Sequence, residues 1–244
     1  MVVVSRIIYG IIRGMKLKKI LDWLGRELET DRFDDVSNNG LQVDGPDEVK
    51  KVAFAVDASL ESVKAAAECG AQLLVVHHGI SWGGGIRRIA GGVFRVVKAA
   101  IDGGVAVAAY HLPLDASRKY GNNYELARFL GLKGLKPAFS YHGNVIGVTG
   151  VNPHGVKVGV CSGGGGEFAE EAKNLGCGLY VTGEASWGDV IAAENCGIKM
   201  VCAGHYATET FGVKALARAV RSKLRIDAEF LPRADAPEAK EVVL

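Results

Sequence analysis

Five imidazole or carboxylate side chains lie at or just beyond predicted strand ends in this chain of 244 residues, where they can meet a metal ion. They are His77, His78, Asp115, His205 and Glu209. Imidazole and carboxylate groups together are the ligand set of divalent transition metals. Three histidines and two carboxylates are too few to close two tetrahedral sites, so they suit two ions that share a bridging carboxylate. Coordination positions left open in this way are typical of catalytic metal sites.

The spacing of these residues indicates how they could converge. Consecutive strand side chains point to opposite faces, so His77 and His78 can reach two different ions if the backbone turns at Gly79. His205 and Glu209 are four residues apart and fall on one face of a helical turn. Simpler explanations remain at this stage. The histidine pair could end a strand with one ring buried and one exposed, and His205 or Asp115 could merely cap a helix.

Other residues near the predicted strand ends are candidates for supporting roles. Glu184 is a candidate general acid or base, an orienting partner of a metal ligand, or a helix cap. His111 is a candidate for orienting the metal ligands. The stretch CSGGGGE, 161–167, could bind phosphate through its backbone amides or form a flexible tight turn, and we favour the turn. It is not a Walker loop, because no Gly-Lys-Ser/Thr follows.

Short apolar runs alternate with helix-like periodicity, which predicts an α/β protein with buried, largely parallel strands. The predicted strands are 51–56, 73–76, 105–109, 144–151, 156–160, 179–182, 199–203 and 224–231. The predicted helices are 16–29, 59–69, 88–101, 123–130, 167–175, 186–195 and 208–222. If the polar residues are to meet, the strands and helices must place the ends of four strands close together.

An internal repeat underlies this alternation. GAQLLVVHHGISW at 70–82 matches GCGLYVTGEASW at 176–187, and the element after each ends in His-x-x-x-Asp or His-x-x-x-Glu. The sequence therefore predicts a layered sheet-and-helix protomer made of two similar αβ repeats. The predicted boundaries are an N-terminal extension, a first repeat, a connecting segment, a second repeat and a mobile tail, at 1–14, 15–130, 131–156, 157–231 and 232–244.

Composition excludes several classes of protein. The formal charge of +2 gives no electrostatic case for strong binding to nucleic acid or an anionic membrane. The apolar N-terminal stretch is interrupted by Arg6 and Arg13 and is too short to span a bilayer. The five cysteines contain no C-x-x-C pair, which favours reduced thiols and a cytoplasmic protein. The three tryptophans, Trp23, Trp82 and Trp187, are predicted to pack in the interior rather than to stack on bases.

Five motifs occur in an order that resembles the NGG-one-interacting-factor-three-like family, whose members are also called GTP cyclohydrolase I type 2 homologues. They are D-x-S-N-N-G-L-Q-V, V-V-H-H-G, H-x-x-L-D, T-G-E and G-H-Y-x-T-E, spread over about residues 34–209. The resemblance implies the same five metal ligands, two intertwined α/β repeats and a ring-shaped homohexamer. It also implies that the turn at 37–40 borders the site. The chain departs from a common bacterial version in having Gly-Ile-Ser-Trp after the histidines instead of Pro-Leu-Phe-Trp.

The residues and the resemblance together predict a metal-dependent hydrolase of the cyclohydrolase or amidohydrolase type with two divalent ions per chain, zinc, iron or manganese. A water activated by the metals would attack a cyclic amide, amidine or nucleotide, at C8 of the purine if the substrate is GTP. The alternative is a non-catalytic metal-binding protein with a regulatory or nucleic-acid-associated role. The expected partners are a small-molecule substrate and five further copies of the chain.

Overall fold

A computed structural model describes residues 14–233, so the predicted extension at 1–14 and the tail at 232–244 fall almost wholly outside the described residues. The strands are β1 Met15–Lys16, β2 Gly40–Val43, β3 Glu48–Val49, β4 Lys51–Asp57, β5 Leu73–His78, β6 Ala106–Ala109, β7 Lys133–Tyr141, β8 Asn144–Val151, β9 Lys157–Cys161, β10 Leu179–Thr182, β11 Lys199–Cys202 and β12 Asp227–Phe230. The helices are α1 Leu17–Leu28, α2 Leu60–Glu68, α3 Gly91–Gly103, α4 Leu112–Ala116, α5 Asn122–Phe129, α6 Ala169–Asn174, α7 Trp187–Cys196 and α8 His205–Ala219.

Two five-stranded sheets form the framework, in the orders β12-β4-β5-β6-β2 and β11-β10-β9-β8-β7. The first sheet is parallel from β12 to β6, and β2 pairs antiparallel at its edge. In the second sheet β9, β10 and β11 are parallel, whereas β7 and β8 add an antiparallel hairpin. β1 and β3 form a separate two-stranded antiparallel pair. The α/β class is confirmed, and each sheet contains the strand-helix alternation of one repeat.

Both faces of each sheet are covered by helices, which explains why the central strands are almost uniformly apolar. In the first sheet, the side chains of β4 and β5 alternate between a core shared with α1 and α8 and a core shared with α2 and α3. In the second sheet, one face packs on α6 and α7 and the other on α5. The parallel strands thus end at edges from which polar residues project.

The two repeats are intertwined through the C-terminal elements. Helix α8 follows the second sheet in the chain, yet its Val213 and Leu216 share a buried cluster with Phe54 of the first sheet, as does Val220 directly after the helix. β12 then pairs with β4 in parallel, with Phe230 opposite Phe54. The chain therefore returns to its first sheet at the end, and α8 carries second-repeat residues to the first sheet.

The structure corrects several element predictions. The sequence predicts no strand in the connecting segment before residue 144, but β7 lies there, and much of it is exposed. Its lysines, glycine and proline do not give the pattern of a buried strand. The turn-rich stretch after residue 34 contains β2, a short edge strand. Trp23 packs on the core as predicted, but Trp187 is 76% exposed, so the packing prediction is wrong there.

All five cysteines are free, and among the described residues no helix is long and apolar enough to cross a membrane.

Candidate metal centre

The five predicted ligands come together from three elements. His77 and His78 end β5, Asp115 lies on the short helix α4, and His205 and Glu209 lie on the first turns of α8. The buried Nε2 of His77 is 3.5 Å from Asp115 Oδ2 and 3.5 Å from Glu209 Oε1. Four of the five fall, together with His111, in two groups that are positioned to hold a metal ion. The groups are His77, His78 and His111, and His78, His205 and Glu209, whereas Asp115 belongs to neither.

Glu209 lies at the centre of the cluster. Its Oε1 is 3.1 Å from His205 Nε2, and its Oε2 is 3.5 Å from His78 Nε2. The two oxygens of one buried carboxylate therefore face different imidazoles. Glu209 itself is 3% exposed, because α8 is packed between the two halves of the chain. A buried carboxylate with both oxygens beside imidazoles can take part in holding a metal ion.

Two buried atoms of the cluster, His77 Nε2 and Glu209 Oε2, have no hydrogen-bond partner among the described residues. An orphaned polar atom in a protein interior costs about 1–3 kcal/mol, so native structures leave few of them without a reason. A cation between these atoms would satisfy both at once. The residues present therefore fit the divalent metals that the sequence predicts.

The electrostatics of the cluster point the same way. Burial by itself lowers the pKa of His77, but the carboxylates of Asp115 and Glu209 outweigh it and raise that pKa to about 10. The hydrogen bond to Glu209 raises the pKa of His205 to about 9 against the opposing effect of burial. Burial raises the pKa of Glu209, but His77 and His205 overcome it and hold that pKa well below its usual range. Positive charge beside the buried carboxylates is therefore favourable, and protonated imidazoles provide it where no metal ion is bound.

The far nitrogen of each imidazole is held by the surrounding fold. The Nδ1 atoms of four histidines lie 2.9–3.1 Å from an oxygen acceptor. The pairs are His77 with Tyr110 O, His78 with Asp57 Oδ1, His111 with Asp35 Oδ1, and His205 with Glu184 Oε1. Contacts of this kind fix the ring orientation and leave Nε2 free to bind a metal.

Two of the secondary candidates are therefore in the site. The ring of His111 lies with its centroid 5.0 Å from that of His77 and 5.6 Å from that of His78, and its nitrogens are close enough to theirs to share an ion. Glu184 contacts His205 as an orienting partner would, and its side chain is 63% exposed. The acid or base role of Glu184 remains a prediction.

The glycine-rich loop after β9 forms one wall of the cluster. Gly163 has a φ of +64°, and a Cβ at this position would lie 2.4 Å from Glu209 Oε1 and 3.3 Å from His205 Nε2. Its N–H donates to Thr208 Oγ1 at 3.1 Å, which ties the loop to α8. The residue before Gly163, Ser162, donates its hydroxyl to Asp115 Oδ1 at 3.3 Å. Backbone alone fits against the Glu209 carboxylate, which accounts for a glycine here.

Comparison with known proteins identifies the family. The sequence model of the family described as Duf34/NIF3 (NGG1p interacting factor 3) matches residues 15–156 and 142–237. The chain belongs to this family. A relative from Archaeoglobus fulgidus, named GTP cyclohydrolase 1 type 2 homolog, is 42% identical in an alignment that covers 89% of this chain and 98% of the relative's length. A relative of the same name from Pyrococcus horikoshii is 36% identical, with the same coverage of both chains. A crystal structure of a Thermus thermophilus protein matches with a TM-score of 0.80 and 32% identity, over 90% of this chain and 98% of that one.

Sequence reasoning missed two carboxylates that surround the ligands of this Duf34/NIF3 member. Asp57 ends β4, and its pairing with His78 follows from the register in which the two residues lie opposite each other on adjacent strands. Asp35 comes from the turn-rich stretch and contacts a histidine that is 76 residues away. An acidic residue at the end of a buried strand was the available signal for Asp57. For Asp35 only the resemblance hinted that this stretch borders the site.

Replacing Asp35 by alanine is expected to destabilise the protein by about 3–5 kcal/mol, because several donors lose a buried acceptor together. The carboxylate accepts hydrogen bonds from the Ser37 N–H, the Asn39 side chain and the Leu112 N–H, and it contacts His111. Burial raises its pKa, but these contacts outweigh burial and lower the pKa to about 2. Urea unfolding measures the change in the free energy of unfolding.

The control for this prediction is Asp34→Ala, one residue earlier at an exposed position. Its loss should change the free energy of unfolding by no more than about 0.5 kcal/mol. Equal effects of the two substitutions would contradict the structural role of Asp35.

Proposed function

We propose that this protein is a binuclear metal-dependent hydrolase that opens a cyclic amide or amidine, as in a purine nucleotide. The observation that supports it best is the pair of orphaned buried atoms, His77 Nε2 and Glu209 Oε2, within one cluster of imidazoles and carboxylates. A structural metal site would be closed by its ligands, whereas this set leaves positions for water and substrate. Two of the relatives named above carry the name GTP cyclohydrolase 1 type 2 homolog, which makes GTP the first substrate to test.

In the proposed arrangement His77, Asp115 and Glu209 hold one ion, and His78, His205 and Glu209 hold the other. Two divalent cations held by these residues would supply Lewis acidity and a nucleophilic water at neutral pH. The mixed nitrogen and oxygen ligands suit zinc, iron or manganese rather than calcium. The protein contributes the fixed ring orientations, through the Nδ1 contacts of each histidine.

Glu184 is the residue that we propose to handle the proton. Its carboxylate contacts His205 Nδ1 at 2.9 Å at the margin of the cluster, and most of its side chain is exposed. From there it can accept a proton from the reacting groups and release it to solvent, or donate one to the leaving nitrogen. The surrounding loop supports this position, since the Glu184 N–H donates to Gly163 O at 2.8 Å.

Elemental analysis of protein purified without chelator is expected to find close to two divalent ions per chain, as a shared carboxylate between two sets of ligands requires. The same preparation should hydrolyse GTP, or another cyclic amide or amidine in a panel of nucleotides and heterocycles. Background metal after reconstitution would contradict the metal centre. Two ions without turnover of any compound in the panel would favour the alternative, a non-catalytic metal-binding protein with a regulatory or nucleic-acid-associated role.

The assembly that we propose is a homohexamer, on the strength of the family resemblance. Most soluble oligomers close by point-group symmetry, and a ring would enclose the metal sites in a shared cavity. Light scattering coupled to gel filtration should therefore give about six times the 25.8 kDa of the chain. A stable monomer at micromolar concentration would rule out the hexamer and leave the metal site intact, because all its ligands lie in one chain.

The free cysteines support the cytoplasm as the proposed location.

A further inference from the structure

Trp82 lies beside the candidate metal centre, next to the partly exposed rings of His78 and His111. The indole centroid is 5.2 Å from the ring centroid of His111, at an interplanar angle of 77°, and 6.1 Å from that of His78. His77 is fully buried, whereas the rings of His78 and His111 are partly exposed. A molecule that approaches the metals from this side therefore passes the face or edge of Trp82.

The indole is exposed although it is large and apolar. Trp82 is 37% exposed, and it belongs to none of the hydrophobic clusters formed by the described residues. The sequence predicts that Trp82 packs in the interior. Interior packing therefore does not explain why the indole lies where it does. A partly exposed tryptophan contributes little to a core but offers a π surface to a ligand.

The ring is also held rigidly. Its Nε1 donates to Gly79 O at 2.9 Å, so the one polar group of the indole is satisfied within its own loop. The backbone of Trp82 forms a bridge with Ser37, and Gln42 Oε1 accepts from the Ile80 and Ser81 N–H groups at 2.7 and 3.1 Å. A fixed ring with no free donor is suited to stacking on a planar partner and not to hydrogen bonding. Because the ring is already ordered, a ligand loses little free energy in ordering it.

We propose that Trp82 is a stacking platform for a planar nitrogen heterocycle of the purine type, which it places beside the metal centre. This inference rests on the function proposed above and names how its substrate would be recognised. Every purine has a π face, so the platform selects planar rings and leaves the choice among them to other contacts. The loop that carries Trp82 follows His78 directly, so the platform and the metal ligands are positioned by the same strand end.

The test is calorimetric titration of manganese-loaded protein with guanosine, and separately with inorganic triphosphate, which has no ring. Trp82→Leu should weaken guanosine binding by about 10- to 100-fold, the size of base-aromatic stacking, and leave triphosphate binding unchanged. Trp82→Phe should keep most of the guanosine affinity, because a ring remains. Phe129→Leu is the matched control, since Phe129 is an exposed aromatic residue whose ring contacts Phe211. Metal content is measured for each variant, so that a lost ion is not mistaken for a lost platform.

Equal guanosine affinity in the wild type and metal-loaded Trp82→Leu would overturn the proposal, and so would the absence of guanosine binding to the wild type. Guanosine binding that depends on Trp82, in a protein that turns over no substrate, would support the platform and contradict the hydrolase function. Turnover of GTP with the same kcat and KM in wild type and Trp82→Leu would uphold the hydrolase and overturn the platform.

Discussion

Replacing Glu209 by glutamine is expected to lower the occupancy of both metal positions together. The change keeps the shape of the side chain and removes its charge, while Oε1 faces His77 and His205 and Oε2 faces His78. Each ion would lose an anionic ligand, so we expect metal affinity to fall at both positions. Loss of a residue that only supports a ligand already lowers metal affinity by about 10- to 100-fold, so the loss of a ligand charge should cost at least as much. Titration of the metal-free protein with zinc or manganese, followed by elemental analysis, measures both occupancies.

His78→Ala is the comparison for this variant, because His78 faces only one of the two proposed ions and should mainly empty that one. Metal binding is linked to folding, so Glu209→Gln should also lose most of the stabilisation that metal gives, about 3 kcal/mol at a hundredfold excess over the dissociation constant. Unchanged affinity of both ions in Glu209→Gln would show that the carboxylate does not bridge them.

Gly163→Ala is expected to disturb the centre almost as strongly, without altering any ligand. The added Cβ would lie 2.4 Å from Glu209 Oε1, so the carboxylate or the loop must move. The φ of +64° adds about 1 kcal/mol of backbone strain for a residue with a side chain. We expect weaker binding of both ions, by about tenfold or more, because a displaced ligand no longer meets the geometry that its metals need. The measurement is the metal titration of the metal-free protein.

Gly164→Ala provides the control in the same loop. Its Cβ would meet only Glu184 Oε1, at 3.9 Å, which is an ordinary contact. Unfolding of the metal-free proteins separates backbone strain from metal binding, because strain lowers the stability of Gly163→Ala even with a chelator present. Similar metal affinity in Gly163→Ala and Gly164→Ala would mean that the loop is not pressed against the carboxylate.

The residues of the candidate cluster could be selected from the sequence because they lie near the ends of apolar runs and carry groups with metal-binding chemistry. Strand ends in α/β sheets converge, so residue type and position were enough to select His77 and His205. The partners of those residues could not be predicted in the same way. Asp35 approaches His111 only because β2 pairs with β6 antiparallel at the edge of the first sheet, a register that no local pattern encodes.

The elements show the same division between local and long-range information. α1 was predicted within a residue at each end, since its buried Leu17, Ile20 and Leu24 recur at helical spacing. β7 was missed because its exposed first half lacks the alternation of a half-buried strand. The wall that Gly163 forms against Glu209 also depends on tertiary contacts, although the run of glycines marked the loop as unusual.

The return of β12 to the first sheet sets the order in which a newly made chain can become complete. β4 has β5 on one side, but its other edge stays unpaired until residues 227–230 have been synthesised. An open strand edge is a template for wrong pairing with another chain, so the nascent protein carries that hazard until the second repeat and β12 have been made. Pairing elements so far apart in sequence is also slow. Because α8 supplies both Glu209 and the connection to β12, the candidate metal cluster and this edge of the sheet are completed only after both repeats have been synthesised.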